Sequence, residues 1–488
     1  MKTPTPLPIR AMLLLALFST APVRAADPRT DSWLTNYSGT YARVYLTDAN
    51  KHAGTSATTW SRGALNQSSP AYSGVSEIYS SVNWVYLRTS GLGVHVMGPW
   101  YLNAGHTTLF MNVPVNSKTL YRIPRTPATN GTHTLTGGGA IGYFVDGVAM
   151  FDTRDAFYWN GSGEVNGSGS WNRDAWVNEG VTFDPAYAHQ PGSGLYHYHA
   201  NPIALRYLLG DHVDFNTTTK IYFESTNAVT KHSPILGWMR DGFPLYGPYG
   251  YANATNSTSG VRRMVSGYVP RDGTKGTDNL SVNGTARSSI PAWATRAGES
   301  ATTGPTVSTN VGSFYPFGRY LEDNAYLGDL INPGTGSAFV LGVDFDLNEW
   351  NTRWCVTPEF PGGTWAYFVN ISSNGTPVFP YNVARTFFGT PTGSATTLAE
   401  TVTTNFLGGA NSTLRLARPA VSNNVVTLTW SAAEGGTYRV ESTPNFTTWT
   451  TNVASTNATL NRGTTSMTGN GSNQFFKVTR TALATYDP

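Results

Sequence analysis

The stretch Gly142-Tyr143-Phe144-Val145-Asp146-Gly147-Val148-Ala149-Met150-Phe151 places an Asp-Gly dipeptide between two apolar runs. The pattern returns at Gly237-Trp238-Met239-Arg240-Asp241-Gly242-Phe243-Pro244-Leu245-Tyr246 and, more weakly, at Asn374-Gly375-Thr376-Pro377-Val378-Phe379. Because Asp-Gly and Asn-Gly tolerate the positive φ values of a type I′ turn, each copy predicts a β-hairpin. The recurrence indicates either a β-domain built from duplicated hairpin units or repeated use of the same turn chemistry.

The composition of the whole chain agrees with strands. Among 488 residues only 12% are charged, 13% are aromatic, and 51 are glycine. Short apolar runs between turn residues favour an all-β fold with few short helices. We expect a large multi-stranded β-sandwich or hairpin-repeat domain over residues 26–390, followed by a small C-terminal β-sandwich.

The last part of the chain has its own pattern. A Thr-, Gly- and Ala-rich stretch predicts a linker over residues 391–412. After it, apolar Val426, Leu428 and Trp430 alternate with polar residues, as in a half-buried strand. Residues 413–488 therefore predict a small β-sandwich, which resembles the fibronectin- or immunoglobulin-type modules appended to many exported bacterial proteins.

The N-terminus has the features of a secretory signal peptide over residues 1–25. Lys2 and Arg10 form a basic region before a short apolar stretch. Val23-Arg24-Ala25 then fits a cleavage site. We therefore expect a secreted, periplasmic or cell-surface protein. Cleavage would remove three basic residues and with them the formal net charge of +3. The chain has no Lys/Arg run to bind nucleic acid and no later apolar run that predicts a transmembrane segment.

Histidines cluster in one part of the sequence. Five of the nine fall between His189 and His232. His197 and His199 alternate with tyrosines, so on a strand both imidazoles project from one face. That spacing suits one divalent transition metal ion, zinc or copper, with His189 or His232 as third ligand and an open position for water.

Several nearby carboxylates are candidates to orient a metal-bound imidazole or to act as general base. They are Asp184, Asp211, Asp214, Glu224 and Asp241. After the His strand, Asn201 predicts a helix N-cap, and Gly210 predicts the helix end. A cupin site would require a glutamate three or four residues after the second histidine, where Pro202 and Ile203 stand instead.

The motifs together resemble the YHYH domain family of exported, mainly bacterial proteins. The resemblance rests on Tyr196-His197-Tyr198-His199, on His232-Ser233-Pro234-Ile235-Leu236-Gly237, and on the repeat from Asp241 to Gly250. Asp146–Phe151 and Thr357–Val369 fit a longer form of the family, so the match covers roughly residues 94–389. The resemblance implies that His197 and His199 are the centre of the domain's function, and it implies no particular activity.

Two functions remain open from the sequence. In the first, the central domain binds a transition metal, and metal-activated water attacking a polar substrate is the simplest chemistry if the protein is an enzyme. In the second, the protein is a non-catalytic cell-surface protein without metal, whose Trp- and Tyr-rich faces bind glycans or partner proteins. The sequence does not decide whether the protein is catalytic.

Overall fold

The computed structural model describes residues 27–129, 131–310, 314–392, 395–469 and 474–488. Strands dominate these residues, which confirms the predicted all-β class. The α-helices among them are short: α1 (Pro28–Asp31), α2 (Asp48–Ala53), α3 (Ala175–Glu179), α4 (Ile203–Leu208) and α5 (Ala292–Arg296). No helix in these ranges is long and apolar enough to cross a membrane. The predicted signal peptide lies outside the described residues.

The N-terminal part of the chain supplies one wall of the main core. Its strands are β1 (Arg43–Val44), β2 (Trp60–Arg62), β3 (Leu65–Gln67), β4 (Val75–Ser80), β5 (Trp84–Thr89), β6 (Val96–Met97) and β7 (Thr119–Pro124). β4, β5 and β7 form an antiparallel sheet. Alternate residues of this sheet, such as Ile78, Leu87 and Tyr121, are buried in the main apolar core.

The middle of the chain contains the remaining strands of the large domain. They are β8 (Gly142–Phe144), β9 (Ala149–Met150), β10 (Arg154–Trp159), β11 (Glu164–Asn166), β12 (Asn172–Asp174), β13 (Ala188–His189), β14 (His197–Tyr198), β15 (Val213–Asn216), β16 (Ile221–Glu224), β17 (Ile235–Met239), β18 (Pro244–Tyr246), β19 (Tyr249–Asn253), β20 (Asn256–Arg263), β21 (Tyr268–Pro270), β22 (Asn324–Tyr326), β23 (Thr352–Cys355) and β24 (Thr364–Phe368). Eight of them form one mixed sheet in the order β13-β14-β9-β8-β17-β18-β24-β23.

This eight-stranded sheet has the same pairing pattern from either end. On each side an antiparallel pair is followed by a parallel pair and then by a hairpin. The hairpins β8-β9 and β17-β18 meet in the middle, where Tyr143 pairs with Trp238, Phe144 with Gly237, and Gly142 with Met239. Because the repeated sequences align at these positions, the register supports a β-domain built from duplicated hairpin units.

The hairpin turns differ in type from the prediction. Gly147 donates its N–H to the Phe144 carbonyl (2.8 Å), and Phe144 donates to the Val148 carbonyl (2.9 Å). Only the glycine, at φ 84°, has positive φ, so the loop has three residues and ends in a bulge rather than forming a type I′ turn. The same two bonds close the turns around Gly242 and Gly375. The first two hairpins are confirmed as β8-β9 and β17-β18, whereas the third copy is a turn flanked by a single bridge between Ile371 and Pro377.

The end of helix α4 agrees with the prediction, whereas its start does not. Gly210 follows the helix at φ 70°, as expected of a residue that ends a helix. Pro202 occupies the N-cap position, and no side chain in the described ranges caps the helix. Asn201 is not the cap because its Oδ1 accepts a hydrogen bond from the buried Arg206 (3.0 Å).

The C-terminal residues form two three-stranded sheets around Leu428, Trp430, Tyr438 and Val440. Their strands are β26 (Ala420–Ser422), β27 (Val425–Ser431), β28 (Gly436–Thr443), β29 (Thr450–Asn457), β30 (Arg462–Thr468) and β31 (Phe475–Leu483). The fibronectin- or immunoglobulin-like identity of this part stays a prediction. Part of the predicted linker is ordered, because β25 (Thr403–Leu407) pairs with β4.

We predict that Gly147→Ala destabilises the protein more than Gly284→Ala. Both glycines have φ near 85°, so each substitution introduces about 1–2 kcal/mol of backbone strain. A Cβ at Gly147 would also lie 2.3 Å from Thr89 Oγ1, whereas at Gly284 nothing lies within 4 Å. Overpacking adds about 1–3 kcal/mol. Thermal unfolding of both variants measures the difference, and equal melting temperatures would contradict the assigned turn geometry.

Candidate metal centre

Two neighbouring strands bring three histidines to one face of the large sheet. His189 ends β13 and is the register partner of His197 on β14. Residues directly opposite each other project from the same face, and His199 lies two positions beyond His197 on that face. Tyr196 and Tyr198 are completely buried on the other side. The predicted alternation of histidines and tyrosines is therefore present.

The three imidazoles converge and are almost fully buried. Their exposed fractions are 6% for His189, 2% for His197 and 4% for His199. One ring nitrogen from each lies within 4.8 Å of the others, an arrangement that could hold a metal ion. The Nε2 atoms of His197 and His199 are only 2.9 Å apart.

The outer nitrogen of each ring is occupied by a hydrogen bond that fixes its proton. His197 Nδ1 lies 2.9 Å from the Leu195 carbonyl, and His199 Nδ1 lies 2.7 Å from the Asp152 carbonyl. A carbonyl oxygen only accepts, so both Nδ1 atoms carry the hydrogen. Their Nε2 atoms then present lone pairs to the centre when the rings are neutral.

A threonine hydroxyl fixes the proton of His189 on Nδ1 in the same way. His189 Nδ1 lies 2.7 Å from Thr182 Oγ1, and that hydroxyl already donates its hydrogen to the Glu179 carbonyl (2.7 Å). The Thr182 oxygen must therefore accept from His189. All three Nε2 atoms thus face one another as acceptors, which is unfavourable unless a cation lies among them.

Glu179, the last residue of α3, completes the centre. Its Oε2 lies 3.2 Å from His199 Nε2 and 3.5 Å from His189 Nε2. Burial opposes ionisation, but the hydrogen bond and charge of His199 hold the pKa of Glu179 below its usual value. The carboxylate is therefore ionised at neutral pH and offers a fourth ligand or a proton acceptor.

The pKa values keep two of the three rings neutral. Burial lowers the pKa of His189 to about 3 and that of His197 well below its ordinary value. Burial also acts against protonation of His199, but the adjacent Glu179 raises its pKa. In the metal-free protein a proton shared by His199 and Glu179 is thus the alternative to a metal ion.

The centre opens into a cavity of about 430 Å³. Much of its wall is apolar and includes Phe110, Phe151 and Pro191. The Phe151 ring stacks on His197 with 3.8 Å between ring centroids. Charged residues line another part of the wall: Asp152, Arg154, Asp155 and Glu179. A buried set of nitrogen ligands beside an open cavity is typical of metal sites that bind a further molecule.

His232, the other predicted third ligand, lies outside this group. Its Nδ1 is 2.7 Å from the Ser233 carbonyl, and its ring packs against Tyr246, Tyr251 and Phe368. In the repeat Tyr246 occupies the position of Phe151, so His232 packs against the second hairpin, β17-β18, and not against the first. Of the two predicted candidates, the structure places His189 beside His197 and His199.

The second half of the sheet does not repeat the three histidines. Tyr198 pairs with Met150 as Tyr367 pairs with Leu245, which makes the two tyrosines equivalent. The positions of His197 and His199 are therefore taken by Ala366 and Phe368. Arg353, the register partner of Ala366, replaces His189.

The carboxylates singled out in the sequence serve other contacts. Asp184 accepts from the Tyr196 hydroxyl (2.7 Å), and Asp241 accepts from Tyr367 (2.6 Å). Asp211 and Glu224 pair with the buried Arg206, and Asp214 lies on β15. The carboxylates that do reach the centre, Asp152, Asp155 and Glu179, precede the histidine cluster in the sequence. The only sequence feature that could have identified them was their closeness along the chain to the first hairpin and to His189.

The model of the YHYH protein family matches residues 120–379. The chain belongs to the YHYH family. The matched residues include both hairpins, the three converging histidines and Glu179. No curated protein and no solved structure matches the chain.

A pair of buried glutamates, Glu299 and Glu322, lies behind the cavity wall. Arg385 donates to Ser168 of that wall (2.8 Å) and to Glu299 Oε1 (2.8 Å). Asn172 Nδ2 donates to one oxygen of each glutamate, at 3.0 and 2.9 Å. The other oxygen of each glutamate is buried and receives no hydrogen bond from a donor among the described residues.

We expect these two carboxyl groups to share a proton. Burial raises the pKa of Glu299, and burial together with the neighbouring Glu299 charge raises that of Glu322 well above its usual value. Arg385 and Arg154 act in the opposite direction on Glu299. A proton between the two unpartnered oxygens removes the repulsion of two buried negative charges.

We predict that Glu322→Gln reduces the loss of stability as the pH rises above the ordinary glutamate pKa. A raised pKa in the folded state means that folding takes up a proton, so the stabilisation is complete below the ordinary glutamate pKa and is lost as pH rises through the raised value. Glutamine keeps the Asn172 contact and donates permanently to Glu299. Melting temperatures from pH 6 to pH 9 test this.

Glu400→Gln is the matched control, because Glu400 is a surface residue bonded to Asn83. This variant should lose stability with rising pH to the same extent as the wild type. The shared proton is excluded if Glu322→Gln and Glu400→Gln follow the same pH curve.

Proposed function

We propose that His189, His197 and His199 bind one divalent transition metal ion, zinc or copper, through their Nε2 atoms. The three outward hydrogen bonds of the Nδ1 atoms support this proposal most directly, because they leave three buried lone pairs directed at one point. Metal-binding histidines characteristically donate their second N–H to a carbonyl or carboxylate in this way. Imidazole ligands suit zinc and copper.

The arrangement favours a reactive centre over a purely structural one. Structural zinc sites use four protein ligands and are closed, whereas catalytic sites keep a position for water or substrate. Here three imidazoles lie beside a cavity of about 430 Å³. The metal would supply activated water, and Glu179 would accept a proton from it or act as fourth ligand.

We further propose that the protein works outside the cytoplasm. The predicted signal peptide and the resemblance of the motifs to exported proteins support this location. Binding to a glycan or to a cell-surface partner remains the alternative function suggested by the abundant tryptophan and tyrosine.

We predict about one zinc or copper ion per purified chain, and its loss in the His197→Ala/His199→Ala double variant. The double variant removes two of the three converging nitrogens, so the remaining imidazole and Glu179 bind weakly. Elemental analysis after dialysis measures the stoichiometry. Cobalt(II) substitution gives an independent optical readout of the ligand field.

His232→Ala is the matched control because His232 is a partly buried histidine of the motif that lies outside the group. It should retain the full metal content. Glu179→Gln should keep the metal but bind it about 10–100-fold more weakly, as for other changes beside a metal ligand. Equal metal content in the double variant and in the wild type would exclude the proposed centre.

A further inference from the structure

Arg154, at the start of β10, presents an unused donor at the cavity. Its side chain is 10% exposed and lines the same cavity as the three histidines. Nη1 donates to the Asp155 and Gly167 carbonyls, at 3.3 and 3.1 Å. Nε lies 3.2 Å from Asp152 Oδ2. Nη2 donates to no residue among those described, so both of its N–H groups are available to a ligand.

These contacts hold the guanidinium in one orientation. Hydrogen bonds to two carbonyls restrain the plane of the group and the ion pair with Asp152 holds it in place, so less rotational freedom is lost when a ligand binds. A Cβ at Gly138, another residue of the cavity wall, would lie 3.7 Å from Nη2. The absence of a side chain at Gly138 leaves space beside the free donor.

Asp152 couples this arginine to the metal centre. Its backbone carbonyl accepts from His199 Nδ1 (2.7 Å), and its carboxylate pairs with Arg154. The cationic donor and the proposed metal ligand are thus held by the same residue. A small molecule in the cavity would reach both without any rearrangement of the chain.

The charges of the site indicate what that molecule carries. A divalent ion with three neutral imidazoles and the Glu179 carboxylate leaves one positive charge. The Arg154 charge is balanced by Asp152, that of Arg173 by Asp155 (2.7 Å), and that of Arg319 by Glu164 (2.6 Å). A ligand with one negative charge makes the site neutral. The dianion of a phosphate ester would leave one excess negative charge in a largely apolar cavity, which is unfavourable.

Resting on the proposed metal centre, we propose that the cavity binds an organic monocarboxylate. The carboxylate accepts hydrogen bonds from Arg154 Nη2, and the apolar body packs against Phe110, Phe151 and Pro191. The opposite end of the molecule faces the three histidines. Arginine suits this role because its charge-assisted hydrogen bonds to carboxylates are among the strongest in proteins.

Three probes with the same apolar body test the proposal: benzoate, phenyl phosphate and benzyl alcohol. Isothermal titration of the zinc-loaded protein should show benzoate binding at least 10-fold more tightly than the other two. Arg154→Gln should weaken benzoate binding at least 10-fold, and Arg154→Lys should weaken it less because the charge remains. Arg418→Gln, a change at an exposed arginine, should leave the affinity unchanged.

The outcomes separate this inference from the metal centre. A wild-type protein that binds no zinc contradicts the proposed function itself. A zinc-loaded protein whose benzoate affinity is the same in wild type and Arg154→Gln contradicts only the role of Arg154. If Arg154→Gln does not fold, the wild-type comparison decides: equal affinities for benzoate and benzyl alcohol overturn the proposal.

Discussion

The central constraint in this protein is the direction of three imidazole rings. Each ring donates its Nδ1 hydrogen to an acceptor outside the cluster. The acceptors are the Leu195 carbonyl, the Asp152 carbonyl and the Thr182 hydroxyl. The acceptors come from three separate segments of the chain, so the tertiary fold as a whole sets the orientation. The proposed metal ion would satisfy all three inward lone pairs, whereas a proton on His199 would satisfy only part of them.

The duplicated hairpins explain where this cluster lies. Tyr143 and Trp238 pair at the centre of the eight-stranded sheet. From there the strand order leads to two equivalent edges, β14-β13 on one side and β24-β23 on the other. Histidines occupy only one edge, whereas the other carries Arg353, Ala366 and Phe368. Duplication thus provides a largely buried sheet, and the proposed metal centre lies on one half of it. The expected shared proton of Glu299 and Glu322 would neutralise charge behind the cavity without involving the histidines.

Local pattern was sufficient to predict part of this structure. The alternation around His197 and His199 set their common face, because strand geometry has a period of two residues. The Asp-Gly repeats predicted hairpins, but not the turn type, since loop length depends on how the flanking strands pair. The third ligand depended on register between strands, so His189 and His232 were indistinguishable in the sequence. Glu179 and Arg154 reach the centre through tertiary packing, which residue spacing does not reveal.

X-ray absorption at the metal edge of the zinc- or copper-loaded protein tests the central claim most directly. Our account predicts three imidazole nitrogens, at about 2.0–2.1 Å in the zinc form, with one further oxygen ligand. A spectrum with only oxygen ligands, or with fewer than three imidazoles, would contradict it.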